Sequence, residues 1–205
     1  MGESTGEVEA GATVRGEDWY GEDLTGRVFE DVTFVDVDLT EASATGARFD
    51  RCTFRGARFN ASTWTECAFT GCTFSRANLF DVRFERCKLV GSRFDDCACD
   101  VLHVAGGDWS FVTLRRAHLA GVEITGTRMR EADLEGVRLT GATVVGVDLS
   151  GAELAGADLR RAVLRGSDLS AVDPRSVLLD GAVVDPAQAV VLAEALGVVV
   201  TPGSS

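Results

Sequence analysis

Residues 147–169 read Val-Asp-Leu-Ser-Gly-Ala-Glu-Leu-Ala-Gly-Ala-Asp-Leu-Arg-Arg-Ala-Val-Leu-Arg-Gly-Ser-Asp-Leu, with a leucine at every fifth position. We call that residue the centre of its quintet. The residue two before a centre is small, as at Ala152, Ala157 and Ala162, and the residue two after is commonly glycine, as at Gly151, Gly156 and Gly166. Followed outward, the phase holds without a slip through 31 quintets, from Trp19 to Leu169. Toward the start the centres become Leu24, Phe29, Phe34, Leu39, Phe49, Phe54 and Phe59, and the small phase carries Cys52, Ala57, Cys67, Cys72 and Ala77. Of the 23 glycines, 19 lie two after a centre, which predicts a recurring corner at positive φ, as a type II turn requires.

A period of five fits neither the 3.6-residue helix nor the two-residue strand. Self-similarity at one fixed period calls for stacked repeats. If each quintet makes one side of a square, four make a coil of 20 residues, and residue n lies beneath residue n+20 at roughly 4.8 Å. Columns read at that spacing are coherent. Phe34, Phe54, Phe74 and Phe94 form one ladder that continues as Leu114, Leu134 and Leu154. Its neighbour runs Phe29, Phe49, Phe69, Leu89, Trp109, Met129, Leu149, Leu169. Inward ladders that change from phenylalanine to leucine together predict a packed core and an all-β solenoid.

Ala-Asp-Leu-Arg-Arg at 157–161, Ala-Asp-Leu-Glu-Gly at 132–136 and Cys-Thr-Phe-Arg-Gly at 52–56 resemble the pentapeptide-repeat proteins, over about 80 percent of the chain. The unbroken coil and the segment Asp180-Gly-Ala-Val-Val-Asp-Pro-Ala-Gln-Ala-Val bring it nearer to the mycobacterial, MfpA-like fluoroquinolone-resistance branch. The Qnr quinolone-resistance branch, whose coils are interrupted by loops, is more distant. The resemblance implies a right-handed quadrilateral β-helix, a twofold dimer, and a DNA-mimicking partner for DNA gyrase, with topoisomerase IV a further possibility. It implies either inhibition of the enzyme or protection from fluoroquinolones. The competing class is an interaction scaffold with another client, because the repeat specifies a rod and not what it binds.

Composition narrows the rest. One domain suits 205 residues that are 45% apolar. The start has no secretory signal and no apolar run approaches the ~18 residues of a membrane span, so a cytoplasmic location without membrane attachment is expected. Five of the six cysteines, Cys52, Cys67, Cys72, Cys87 and Cys97, sit on the small inward phase and Cys99 on a centre. That placement predicts packed, reduced thiols. Cys97, Cys99 and His103 lack the paired spacing of a zinc site. His103 and His118 are both outward, and no phosphate loop, metal helix or nucleophile elbow occurs, so neither catalysis nor a cofactor is expected.

The ends depart from the repeat. Residues 1–11, Glu- and Gly-rich, read as a disordered acidic tail ahead of a β-helix over 12–184. Pro174 at a centre predicts a less regular last turn. Asp185-Pro186 followed by Gly197 predicts a short C-terminal α-helix over about 186–196, within a capping and dimerisation segment 185–205. Its apolar residues exceed what one covered face uses, and Val198-Val199-Val200 reads as an exposed edge strand. Val190, Val191, Leu192, Ala195, Leu196, Val198 and Val199 are therefore the candidate dimerisation residues. A second expectation concerns Asp96 to Trp109, where centres shrink to Cys99 and Val104: a bend or local widening.

Net charge is −12, yet residues 31–170 hold 20 acids against 17 bases, the excess lying at the two ends. The position before each centre is basic early on, at Arg48, Arg58, Arg83, Lys88 and Arg93. It turns mainly acidic later, at Asp108, Glu123, Asp133, Asp148, Glu153, Asp158 and Asp168, with Arg128 and Arg138 the exceptions. Those seven carboxylates are the candidate gyrase-binding residues. Two chains joined at their C-terminal ends would bring the acidic halves together between more basic arms, without contact to nucleic acid itself. About 7.75 coils give roughly 37 Å per chain and about 75 Å for a dimer. Duplex DNA of that length carries about 44 charges.

Overall fold

The computed structural model describes residues 8–201. Parallel pairing joins each residue to the one 20 positions on, without a slip from Thr13↔Thr33 to Thr125↔Val145. Four quintets therefore close one coil of a quadrilateral β-helix, wound in the right-handed sense that parallel connections take. We number its faces from the quintet centred on Val14. Face 1 holds the five-stranded sheet Thr13–Arg15, Thr33–Val35, Thr53–Arg55, Thr73–Ser75 and Arg93–Asp95. Face 3 holds six strands, from Ser43–Thr45 to Thr143–Val145, and face 4 three, Val28–Glu30, Arg48–Asp50 and Ala68–Thr70. Face 2 is joined by isolated bridges such as His118↔Arg138.

The centre residue biases the local geometry, although Trp19, Phe59, Trp109 and Met129 close turns as leucine does. Strands form only around Phe, Trp, Val, Ile or Ala centres, as at Phe34, Trp64, Ile124 and Ala44. Every leucine centre from Leu24 to Leu169 instead closes a tight turn, its carbonyl accepting the N–H three residues on, as in Ala42 N to Leu39 O at 3.1 Å. Aromatic and β-branched side chains favour extended backbone and leucine does not. The type II expectation is thus correct for the leucine corners, whereas the strand corners lack the closing bond. The residue two after the centre has positive φ in both kinds through Gly166, Ala171 after Leu169 being the exception. Where glycine is missing, Asp31, Arg51 and even Val101 and Phe111 occupy the left-handed region.

Inside, the phenylalanines stack coil upon coil. Phe29, Phe49 and Phe69 lie 4.8 and 4.6 Å apart, and Phe34, Phe54, Phe74 and Phe94 4.9, 4.9 and 4.6 Å apart, all nearly parallel. Each contact adds roughly 0.5–1.5 kcal/mol to the burial term. From Leu119 on, leucines fill the axis and leave a thin void of about 20 Å³ lined only by apolar side chains.

Two expectations need correction, and a third is met in part. Residues 1–7 of the expected tail lie outside the described residues, but its remainder is already built in: Val8 packs on the core and Gly11 N donates to Glu30 O. Asp96 to Trp109 keeps its register at His103–Ala105, which pairs on both sides, but on face 2 the expected local widening is present: among the described residues Asp96, Cys99 and Val101 make no backbone bond to the coil above, and a cavity of about 270 Å³ opens between Cys97, Cys99 and Arg115–His118. Beyond it the coils close up again at Gly107, where a Cβ would lie 2.0 Å from Cys87 O. Residues 198–200 form no strand, since no neighbouring backbone is offered to them. The helix itself is Pro186–Ala195, with Leu196 as C-cap and Gly197 at φ 85.

Candidate interaction surfaces

The seven candidate carboxylates are spread around the rod. Asp108, Asp148 and Asp168 stand on face 4, with Arg128 bridged between the first two; Asp133 and Glu153 on face 1; Asp158 on face 2; Glu123 on face 3. No single face presents all of them. Faces 4 and 1 meet at an edge, and that edge of the C-terminal half collects Asp133, Asp148, Glu153 and Asp168.

Local structure explains why aspartate is found there. At each Asp-Leu pair the carboxylate turns back to accept the N–H two residues on: Ser150 N to Asp148 at 3.1 Å, Arg160 N to Asp158 at 3.1 Å, Ser170 N to Asp168 at 2.9 Å. Asp18, Asp23 and Asp38 do the same in the first coils. This is the side-chain mimic of a turn that aspartate favours, so the acidity of the later coils follows from their leucine corners. Hydrogen bonding also lowers the pKa values. The Ser150 hydroxyl and then the Arg130 guanidinium hold Asp148 down at about 2. At Asp108 burial pushes upward, but bonds from Ser110 and Arg128 outweigh it.

Four of the seven are ion-paired: Asp108 with Arg128 at 2.7 Å, Asp133 with Arg115 at 2.9 Å, Asp148 with Arg130 at 2.6 Å and Asp158 with Arg160 at 2.7 Å. Glu123 meets His103 at 3.3 Å. Among the described residues Glu153 and Asp168 make no ion pair, and both are exposed. The early basic positions are likewise distributed. Arg58 pairs with Asp38, Arg83 with Asp81 and Arg93 with Asp95, while Arg48 and Lys88 share face 4 unpaired.

At the C-terminal end the helix is fastened by polar groups. Asp185 accepts from Gln188 N and from Gly166 N, each at 3.0 Å, and Gln188 Oε1 accepts from Asp185 N at 2.8 Å. The buried Gln188 amide then donates to Leu164 O and Ser167 O at 2.6 and 2.7 Å, standing in for the coil that would come next. Arg175 holds the other end through Ala195 O and Leu196 O. Leu192 packs on the core, whereas Val190, Val191, Ala195, Leu196, Val198 and Val199 are exposed, Val199 by 85%. The expected apolar surplus is present, less Leu192.

The cysteines do more than fill space. Cys52, Cys67, Cys72, Cys87 and Cys97 each donate to the carbonyl 23 residues back, at 3.1 to 3.5 Å, and Ser92 and Ser167 do the same at 2.6 and 2.9 Å. Every one of those carbonyls belongs to a strand centre, whose corner lacks the closing N–H. Sequence reading missed this role, although the alternation of leucine and non-leucine centres carried the signal. Burial pushes the Cys97 thiol up to about 11.

Pentapeptide-repeat models match residues 47–124 and, as eight-copy arrays, 23–56 and 145–173. The chain is a pentapeptide-repeat protein. No curated protein matches it. Among solved structures it is similar to a trypsin-treated form of QnrB1, a plasmid-mediated fluoroquinolone resistance protein. That match has 25% identity, a TM-score of 0.68, and covers 94% of this chain and 99% of that one. A second trypsin-treated form matches at 23% identity with a TM-score of 0.64, again over 94% and 99% of the two chains. Among the described residues no helix is long and apolar enough to cross a membrane.

Proposed function

We propose that this protein is a cytoplasmic homodimer that binds DNA gyrase in place of a DNA segment, inhibiting the enzyme or shielding it from fluoroquinolone-like poisons. The observation that carries this reading is the likeness to QnrB1 along nearly the whole coil at 25% identity. Two features of the molecule support it. The exposed apolar residues after Val190 offer a self-complementary patch at one end, which suits a twofold interface. The rod carries two candidate acids without an ion pair among the described residues, Glu153 and Asp168, in the coils nearest that end.

Ion pairing shapes the mechanism. A dimer carries −24 against about 44 phosphate charges for an equal length of DNA, and four candidate carboxylates are already neutralised by arginine. Occupancy of a basic saddle therefore draws on shape as much as field, with the long-range attraction concentrated at the dimer centre. Reversal of Glu153 and Asp168 to lysine weakens inhibition of gyrase supercoiling about tenfold, and reversal of the arginine-paired Asp133 and Asp148 weakens it less. Equal inhibition by all these variants would dismiss the acidic contact. Absence of any effect of the folded wild-type protein would favour the scaffold class instead.

A further inference from the structure

Face 2 of the C-terminal half carries a groove of about 780 Å³ that neither the candidate carboxylate edge nor the helix uses. Its floor is built where side chains are missing or short: Gly136 and Gly156 along the corner, Ala120 and Thr140 along the face. Its walls are basic. Arg116, His118, Arg138 and Arg160 line it, with Asp158 the one carboxylate and Leu178 the apolar closure at the end. Asp158 is committed to Arg160, which it meets at 2.7 and 2.9 Å. Arg116 and Arg138 form no ion pair among the described residues and both are exposed. They stand on successive coils, Arg138 bridged to His118 on one side and to Asp158 on the other. Like Arg48 on face 4 they have no carboxylate partner among the described residues, and these two open into the same groove.

We propose that this groove binds a short acidic peptide segment in extended form, its carboxylates on Arg116 and Arg138 and an apolar side chain on Leu178. The dimensions set the length. From His118 to Leu178 is three coil steps, about 14 Å, which an extended chain crosses in roughly four residues. Alternate side chains of such a segment fall about 6.8 Å apart on one side, within reach of both arginines, and each guanidinium accepts a carboxylate in a two-point contact. Glycine at 156 lets the peptide backbone approach the floor, while the stem of Arg116 lies over Gly136, 3.2 Å from where a Cβ would be. Leu178, 49% exposed, receives the apolar end.

The charges around the groove select against longer anions. Asp96 and Asp100 lie one coil below it and Asp180 one coil above Arg160, so a polyanion running along the rod meets carboxylates at both ends. No aromatic side chain lines the groove, and single-stranded nucleic acid is held chiefly by stacking on such residues. The basic groups are spread over successive coils rather than converging on one point, which suits separated carboxylates and not a single phosphate. The proposal is independent of the topoisomerase reading.

The test is an NMR titration of the full-length protein with the peptide acetyl-Glu-Ser-Glu-Ser-Leu-amide, whose glutamates and leucine fall on one side of an extended chain. Its comparison probes are acetyl-Gln-Ser-Gln-Ser-Leu-amide, tetrathymidylate and inorganic phosphate. The peptide is expected to shift the amides of Gly136, Thr140 and Gly156, and to bind about tenfold more weakly to an Arg116→Gln/Arg138→Gln variant. Both side chains point outward, so an unchanged melting midpoint verifies that the variant is folded. If the wild type does not bind, if the variant binds equally well, or if the neutral peptide, tetrathymidylate or phosphate produces the same shifts as strongly, the proposal is wrong.

Discussion

Most polar side chains inside this coil give a further donor to the carbonyl of a strand centre. Cys72 Sγ reaches Phe49 O at 3.2 Å because Phe49 is a strand centre whose corner does not close on itself. Cys72→Ser preserves the donor and is expected to leave the melting midpoint nearly unchanged, whereas Cys72→Ala removes that hydrogen bond at a cost of about 1 kcal/mol. A pair of tryptophans makes the same point. Trp64 Nε1 donates to Ser62 Oγ at 2.9 Å, while the buried Trp109 Nε1 has no partner, the equivalent position being the pinched Gly107. Shortening either ring to phenylalanine opens a similar void. Thermal unfolding should therefore find Trp64→Phe the more damaging by about 1 kcal/mol; equal losses would refute the difference in hydrogen bonding. That these residues face inward was legible from phase alone. Their partners were not, because a contact 23 residues back depends on which corners close, and that requires reading leucine and phenylalanine centres as two geometries rather than as equivalent apolar fillers.

At the scale of the element, Asp-Leu is the unit that makes a tight corner, the leucine setting the turn and the aspartate capping it. This changes the meaning of the charge pattern. The shift from basic to acidic along the chain, visible in the sequence, was read as a surface prepared for a partner, and the structure gives much of it a local cause. The pKa of Asp148 is lowered on folding, so the stability it contributes is complete above its unfolded value near 3.9 and is lost as pH falls toward 2. The melting temperatures of the wild type and Asp148→Asn should accordingly differ at pH 5 and converge near pH 2. The helix was placed correctly from Asp185-Pro186 and Gly197. Its fastening was not, since Gln188 looked like one polar residue in an apolar run. Gln188→Ala leaves Ser167 O unpaired and takes the second donor from Leu164 O, and is expected to cost about 1–3 kcal/mol, read as early loss of protection in the last coil.

Taken whole, the molecule is a rod because one period runs through it unbroken, and this was the most legible fact in the chain: 20-residue columns drawn from sequence are the stacked rings and strands observed. What binds the rod was less legible, because outward residues obey no packing rule. The seven candidate carboxylates share a phase, but phase fixes only the place within a quintet; the face depends on position modulo 20, which distributes them over all four sides. Glu153 and Asp168, unpaired and close to the exposed apolar end, remain the best placed. Deleting residues 186–205 should convert a dimer to a monomer in sedimentation. The measurement that bears most directly on competitive occupancy is displacement of labelled duplex DNA from gyrase by the full-length protein. The account predicts that DNA is released in proportion to protein bound, and that the chain ending at Asp185 releases little. A ternary complex in which gyrase holds protein and DNA together, with DNA affinity unchanged, would contradict it.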